Sequence, residues 1–112
     1  MRYAITGATG FVGGVLAAQL RAAGHEVVAL VRDTGKAGRL SELGVAVQSG
    51  DLGSTESLDE LCRDVDGLFH VAGWYKLGSR NPEQGVRINV DGTRNVLVAA
   101  RKAAVPRVVY TS

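Results

Sequence analysis

Apolar runs of strand length alternate along this chain with longer segments whose hydrophobic residues recur at helical spacing. Arg2-Tyr3-Ala4-Ile5-Thr6 is apolar-rich and ends in a glycine turn, which predicts a first strand. From Phe11 to Ala23, residues Val12, Val15, Leu16, Leu20 and Ala23 keep helical spacing, and Gly24 closes the segment as a cap. Glu26 to Val31 reads as a second strand, Lys36 to Leu43 as a weak helix, and Val45 to Gln48 as a third strand. Ser54 suits the N-cap of a helix that carries Leu58, Leu61, Cys62 and Val65 on one face. Gly67 to Ala72 makes a fourth strand. After a loop to Asn81, Pro82 can open a helix to about Ala104, and Arg107 to Thr111 is a fifth strand.

Strands alternating with helices predict parallel pairing through right-handed crossovers. The expected fold is α/β, a Rossmann-like doubly wound parallel sheet in the order 3-2-1-4-5, truncated after the fifth strand. Such sheets bind ligands beyond the carboxyl ends of their strands, here between strands one and four. The long helix has two apolar stripes. Val86, Val90, Thr93, Leu97, Ala100 and Ala104 are expected to face the sheet, while Ile88, Gly92, Val96, Ala99 and Ala103 lie roughly 120° away. Two apolar faces need two covers. The second is either the neighbouring helix near Leu58 and Leu61 or a homodimer partner against the Pro82–Ala104 helix.

The length of 112 residues fits one core and one domain, and 46% hydrophobic with 21% charged residues is globular composition. Thirteen basic against 11 acidic residues give no reason to expect nucleic acid. No run reaches the roughly 20 apolar residues that span a bilayer, and Met1-Arg2-Tyr3 leads into a strand, not a signal peptide. A cytoplasmic protein without a membrane partner is expected. One cysteine, Cys62, excludes an internal disulfide and a cysteine-based zinc cluster. Fifteen glycines are about twice the usual share of roughly 7%.

Three of those glycines carry the chemistry. Thr6-Gly7-Ala8-Thr9-Gly10-Phe11-Val12-Gly13 joins the first strand to the first helix, the context that makes such spacing informative. Gly7 permits the tight turn, Gly10 lets backbone approach a pyrophosphate, and Gly13 lets helix and strand pack closely. The unpaired N–H groups of the first helical turn favour an anion. A plain strand-to-helix turn explains one glycine better than three. No Gly-Lys-Ser/Thr follows, so this is not a P-loop.

With Gly50-Asp51-Leu52, Phe69-His70-Val71-Ala72, Asn89-Val90-Asp91-Gly92-Thr93 and Arg107-Val108-Val109-Tyr110-Thr111-Ser112, the turn resembles the extended short-chain dehydrogenase/reductase superfamily. This superfamily includes the NAD-dependent epimerase/dehydratases and dihydroflavonol reductase-like enzymes, and the nearest resemblance is to reductase-like and hopanoid-associated sugar epimerase-like members. The resemblance implies that residues 1–112 are the NAD(P)-binding part of an oxidoreductase or epimerase. The reaction would be hydride transfer at a carbonyl or secondary alcohol of a small-molecule substrate. It places Gly7, Thr9, Gly10, Phe11, Val12 and Gly13 at the cofactor's phosphates, and Asp51 and Leu52 beside the adenine. Val71, Ala72 and Gly73 would line the ribose and nicotinamide side, with Asn89 near the nicotinamide end. Asp51 also reads as a turn residue, Asn89 as a solvated or locally bonded one, and His70 as a packed strand residue more than an acid or base.

Discrimination between cofactors falls to Leu30-Val31-Arg32-Asp33. A dinucleotide without the extra phosphate wants a carboxylate at the end of the second strand. Val31 holds that position, and Arg32 beside it offers a planar cation suited to a phosphate, unless it is merely solvated. NADP(H) is favoured, and NAD(H) remains open through Asp33.

The family's acid is a tyrosine whose pKa is lowered by a lysine four residues on. Tyr3 and Tyr75 have Gly7 and Ser79 at that spacing and Tyr110 has no residue there, so no Tyr-x-x-x-Lys occurs. By resemblance, Ser112 is adjacent to the expected assisting serine, and the substrate-binding C-terminal part is absent. The chain alone is therefore expected to bind without turnover and to leave an apolar edge at Val108-Val109-Tyr110. A non-catalytic NAD(P)-binding sensor or assembly factor is the alternative, and a domain for another nucleotide a third.

Overall fold

A computed structural model describes residues 1–71 and 82–111, with residues 82–89 and 111 described by backbone alone. The elements are β1 (Arg2–Thr6), α1 (Phe11–Ala22), β2 (Glu26–Val31), a single 3-10 turn (Thr34–Lys36), α2 (Gly38–Glu42), β3 (Ala46–Ser49), α3 (Thr55–Leu61), β4 (Gly67–Val71), α4 (Pro82–Lys102) and β5 (Arg107–Thr111). The strands form one sheet in the order β3-β2-β1-β4-β5, every pair parallel. This is the doubly wound order expected from the alternation of strands and helices.

Because strand side chains alternate between faces, the sheet carries two cores. Ile5, Val27, Ala29, Val31 and Val71 point to the face covered by α1 and α2, where Ala17 and Leu40 meet them. Ala4, Val28, Leu30 and Leu68 point the other way, onto Leu58 and Leu61 of α3 and Val96, Ala99 and Ala100 of α4. Cys62, at the end of α3, lies in this second core. Its burial, with a smaller contribution from the Asp59 carboxylate, pushes the thiol pKa up. An elevated thiol pKa suits packing, not reactivity.

Local chemistry explains where the elements depart from the sequence pattern. Asp33 accepts from the Gly35 N–H at 3.0 Å and opens the 3-10 turn, so α2 begins only at Gly38. Ser54 does cap α3, accepting from the Ser57 N–H at 3.3 Å. That helix stops at Leu61; Asp64 takes a positive φ of 57°, and Val65 is buried from outside the helix. α4 ends at Lys102, and Ala104, with φ 54°, has left it.

The larger correction concerns the faces of α4. Gly92, Val96 and Ala99 are buried, whereas Val90 and Leu97, assigned to the sheet-facing stripe, are 51% and 46% exposed. Among the described side chains of that stripe only Ala100 is buried, at the border between the two faces, and Thr93 is half-buried. Small residues face inward because the helix runs close to its neighbours: a Cβ on Gly92 would lie 2.9 Å from Leu52 Cδ1. Among the described residues β5 pairs only with β4, and Val108, Val109 and Tyr110 are exposed. Among the described residues no helix is long and apolar enough to cross a membrane.

Candidate functional site

The carboxyl ends of β1, β2, β3 and β4 lie side by side, since Thr6 pairs with Leu30 and with His70, and Val31 pairs with Ser49. The turn from β1 to α1 sits at that edge. Gly7 has φ +78°, and a Cβ there would lie 2.6 Å from the Val71 carbonyl oxygen, so only glycine fits. A Cβ on Gly13 would run into the Gly7 carbonyl oxygen and come within 2.6 Å of the Gly7 carbonyl carbon. Gly10 differs from both. Its φ of −80° suits any residue, it is exposed, and the nearest atom to an added Cβ is 3.4 Å away. Nothing among the described residues demands a glycine at position 10, which leaves its bare backbone open to whatever occupies the crevice.

Gly10 is the N-cap of α1 and has no side chain with which to cap it. The first helical bond runs from the Gly14 N–H to the Gly10 carbonyl at 2.9 Å. The N–H groups of Phe11, Val12 and Gly13 therefore precede the helical ladder and point outward at the positive end of its dipole. There is no acidic residue in this first turn to compete for them. Thr9, Phe11 and Val12 are exposed around the turn, Phe11 at 88%. An anion at this helix start meets uncompensated donors in a cradle without side-chain bulk, which fits a pyrophosphate.

Arg32 follows β2 immediately, one strand over from the glycine turn. It is exposed and makes no ion pair among the described residues. Val31 is buried in the core, so it cannot reach a ribose, and Asp33 Oδ1 is engaged by its own turn. Beyond β3, Asp51 Oδ1 accepts from the Gly53 N–H at 2.6 Å. Asp51 thus forms the turn, and its second oxygen makes no hydrogen bond among the described residues. Leu52 packs against the α3–α4 core. Val71 reaches the site through its backbone under Gly7, while its side chain is buried. Ala72, Gly73 and Ser112 lie outside the described residues, and Asn89 falls where α4 is described by backbone alone.

Pattern reading missed two contributions from α4. Asn95 Nδ2 donates to the Leu52 carbonyl at 3.0 Å, and Gly92 packs on the Leu52 side chain, so together they hold the β3–α3 loop. The available signal was a polar residue one turn from Gly92 on an otherwise apolar stripe. Thr93 takes the other contribution, a bond to His70 Nε2 at 2.9 Å.

A parallel doubly wound sheet with a glycine turn open to an anion at its crevice defines a nucleotide-binding domain of the Rossmann class. Residues 3–112 match the NAD dependent epimerase/dehydratase family, and the chain belongs to it. It is 34% identical over 118 residues to dihydroflavonol 4-reductase of Zea mays, covering 96% of this chain and 33% of the relative. The Citrobacter sp. triphenylmethane reductase solved with NADP(H) superposes at a TM-score of 0.76 with 32% identity, over 98% of this chain and 37% of that one. A short-chain dehydrogenase/reductase superfamily protein of Agrobacterium tumefaciens solved with bound NAD superposes at 0.81 with 27% identity, over 100% and 32%. The chain spans about a third of the length of the proteins it matches.

Proposed function

We propose that this chain is the dinucleotide-binding part of an oxidoreductase or epimerase that moves a hydride at a carbonyl or secondary alcohol. NADP(H) is favoured, with NAD(H) the alternative. The observation that carries the reading is Gly10, a glycine that the fold leaves free between two that it requires, at a helix start with unbonded N–H groups. The nicotinamide dinucleotide supplies the hydride when bound. The N–H groups of Phe11, Val12 and Gly13 hold its pyrophosphate, and the Asp51–Leu52 loop receives the adenine. The hydride donor and acceptor would meet at the carboxyl ends of β1 and β4, with the substrate supported by the remainder of the protein.

Arg32 decides between the two cofactors by offering a charge-assisted pair to a 2′-phosphate. Arg32→Ala in the intact protein is expected to weaken NADPH binding by about 10- to 100-fold, the usual worth of such a bond. NADH binding should stay within about twofold. Fluorescence titration of both reduced cofactors checks this, and equal loss of the two would remove the phosphate role.

The second copy of this chain is the partner proposed for the outer face of α4. Val90, Leu97 and Val98 are exposed there beside Arg94 and Arg101 and line one shallow groove. Leu97→Glu is expected to convert a dimer of the intact protein into a monomer with little change in stability, measured by light scattering. An unchanged mass would show that this face has another use.

A further inference from the structure

Among the described residues, His70 is the most deeply buried polar side chain on the α4 side of the sheet, at 1% exposure, and the chemistry proposed above gives it no part. It stands at the carboxyl end of β4, paired in register with Thr6 of β1 on one side and Tyr110 of β5 on the other. Its Nδ1 is 2.6 Å from Thr6 Oγ1, and its Nε2 is 2.9 Å from Thr93 Oγ1 on α4. The Tyr110 ring lies against it, 5.4 Å between centroids. Thr6 is itself 2% exposed and is the residue immediately before Gly7, whose position is set to within the width of a methyl group.

A neutral imidazole satisfies this arrangement fully. One ring nitrogen donates to a hydroxyl, the other accepts from the second hydroxyl, and no described buried side-chain atom is left without a partner. An imidazolium would still donate to both hydroxyl oxygens, but its charge would have no partner. Among the described residues, Thr6 from β1 and Thr93 from α4 are uncharged, the half-exposed Tyr110 phenol from β5 is the only other titratable group against the ring, and no carboxylate bonds to it. A buried cation without a counter-charge is unfavourable, and burial accordingly lowers the pKa of His70.

We propose that neutral His70 is a positioning residue for the dinucleotide turn, tying the end of β1 to α4 through Thr6 and Thr93, so that its protonation loosens the turn and weakens dinucleotide binding. The proposal rests on the dinucleotide reading of the glycine turn. Its sign follows from the burial: full affinity belongs to the neutral form, present above the ordinary imidazole range, and affinity is lost as pH falls through and below that range.

Calorimetric titration of the intact protein with NADP+ between pH 8 and about pH 5 provides the test. The ratio of variant to wild-type Kd at each pH cancels titration of the ligand's own phosphates. His70→Gln keeps a hydrogen-bonding atom toward Thr93 but cannot take up a proton. It is expected to bind more weakly than wild type at pH 8 and to close or reverse that gap at the acid end. Thr93→Val keeps the side-chain volume at a half-buried helix position, so it preserves the fold while removing one tie. Its Kd should rise by about three- to tenfold at pH 8. Parallel pH profiles for wild type and His70→Gln, or an unchanged Kd in Thr93→Val, would overturn the proposal and leave the dinucleotide reading standing. No binding by wild type at pH 8 would overturn both.

Discussion

Replacing Gly13 with alanine is expected to destabilise the protein by about 3 kcal/mol or more and to abolish dinucleotide binding. The new Cβ would overlap the Gly7 carbonyl oxygen and lie 2.6 Å from the Gly7 carbonyl carbon and 2.9 Å from Ala8 Cα. All three are backbone atoms of the turn, so no side chain can rotate away. Relief requires α1 to move off β1, which also opens the inner core around Ile5 and Ala17. Gly10→Ala supplies the contrast. Its Cβ meets no described atom closer than 3.4 Å and its backbone is extended, so stability should change by less than about 1 kcal/mol. Binding should nevertheless weaken by about tenfold or more, because the methyl group would stand where the pyrophosphate is proposed to approach. Denaturant midpoints and cofactor titrations of the two variants separate the effects. A Gly13→Ala protein of wild-type stability would show that the close approach of α1 to the turn is not required.

The second large effect is expected at Leu58, which is fully buried between the sheet and α4. Leu58→Ala should destabilise by about 2 to 5 kcal/mol, combining the lost transfer energy with a cavity that the surrounding strands can fill only partly. The loss also reaches the site. Leu58 anchors α3, and α3 carries the loop that presents Asp51 and Leu52. Saturating cofactor should raise the melting temperature of Leu58→Ala, as it does for any protein whose native state alone binds. A change below about 1 kcal/mol would mean that the helix repacks without leaving a void.

The sheet order was legible in the residues because few topologies connect alternating strands and helices with short right-handed crossovers. Element ends were less legible where a polar side chain intervenes. Asp33 takes up a backbone N–H and delays α2, while Asp64 and Ala104 break their helices at positive φ without a glycine to announce it. At the site, Gly7 and Gly13 fall where their spacing placed them, whereas the signal at Asn95 was only a polar residue one turn from Gly92, because its partner is a main-chain carbonyl 43 residues away. His70 read as a packed strand residue and is one. Its two hydroxyl partners come from elements that periodicity treats separately.

Residue spacing alone determined the strand and helix alternation, the glycine turn and the presence of two apolar stripes on α4, because periodicity and backbone freedom are local properties. Which stripe faces inward was decided only by the tertiary structure. Both stripes are apolar, so hydrophobicity cannot rank them, and the choice went to Gly92, Val96 and Ala99 because the helix must come close to Leu52 and α3. The glycine turn divides in the same way: spacing gave each of the three glycines a role, but only the approach of α1 to β1 makes Gly7 and Gly13 indispensable to the backbone, while a Cβ on Gly10 would meet no described atom closer than 3.4 Å.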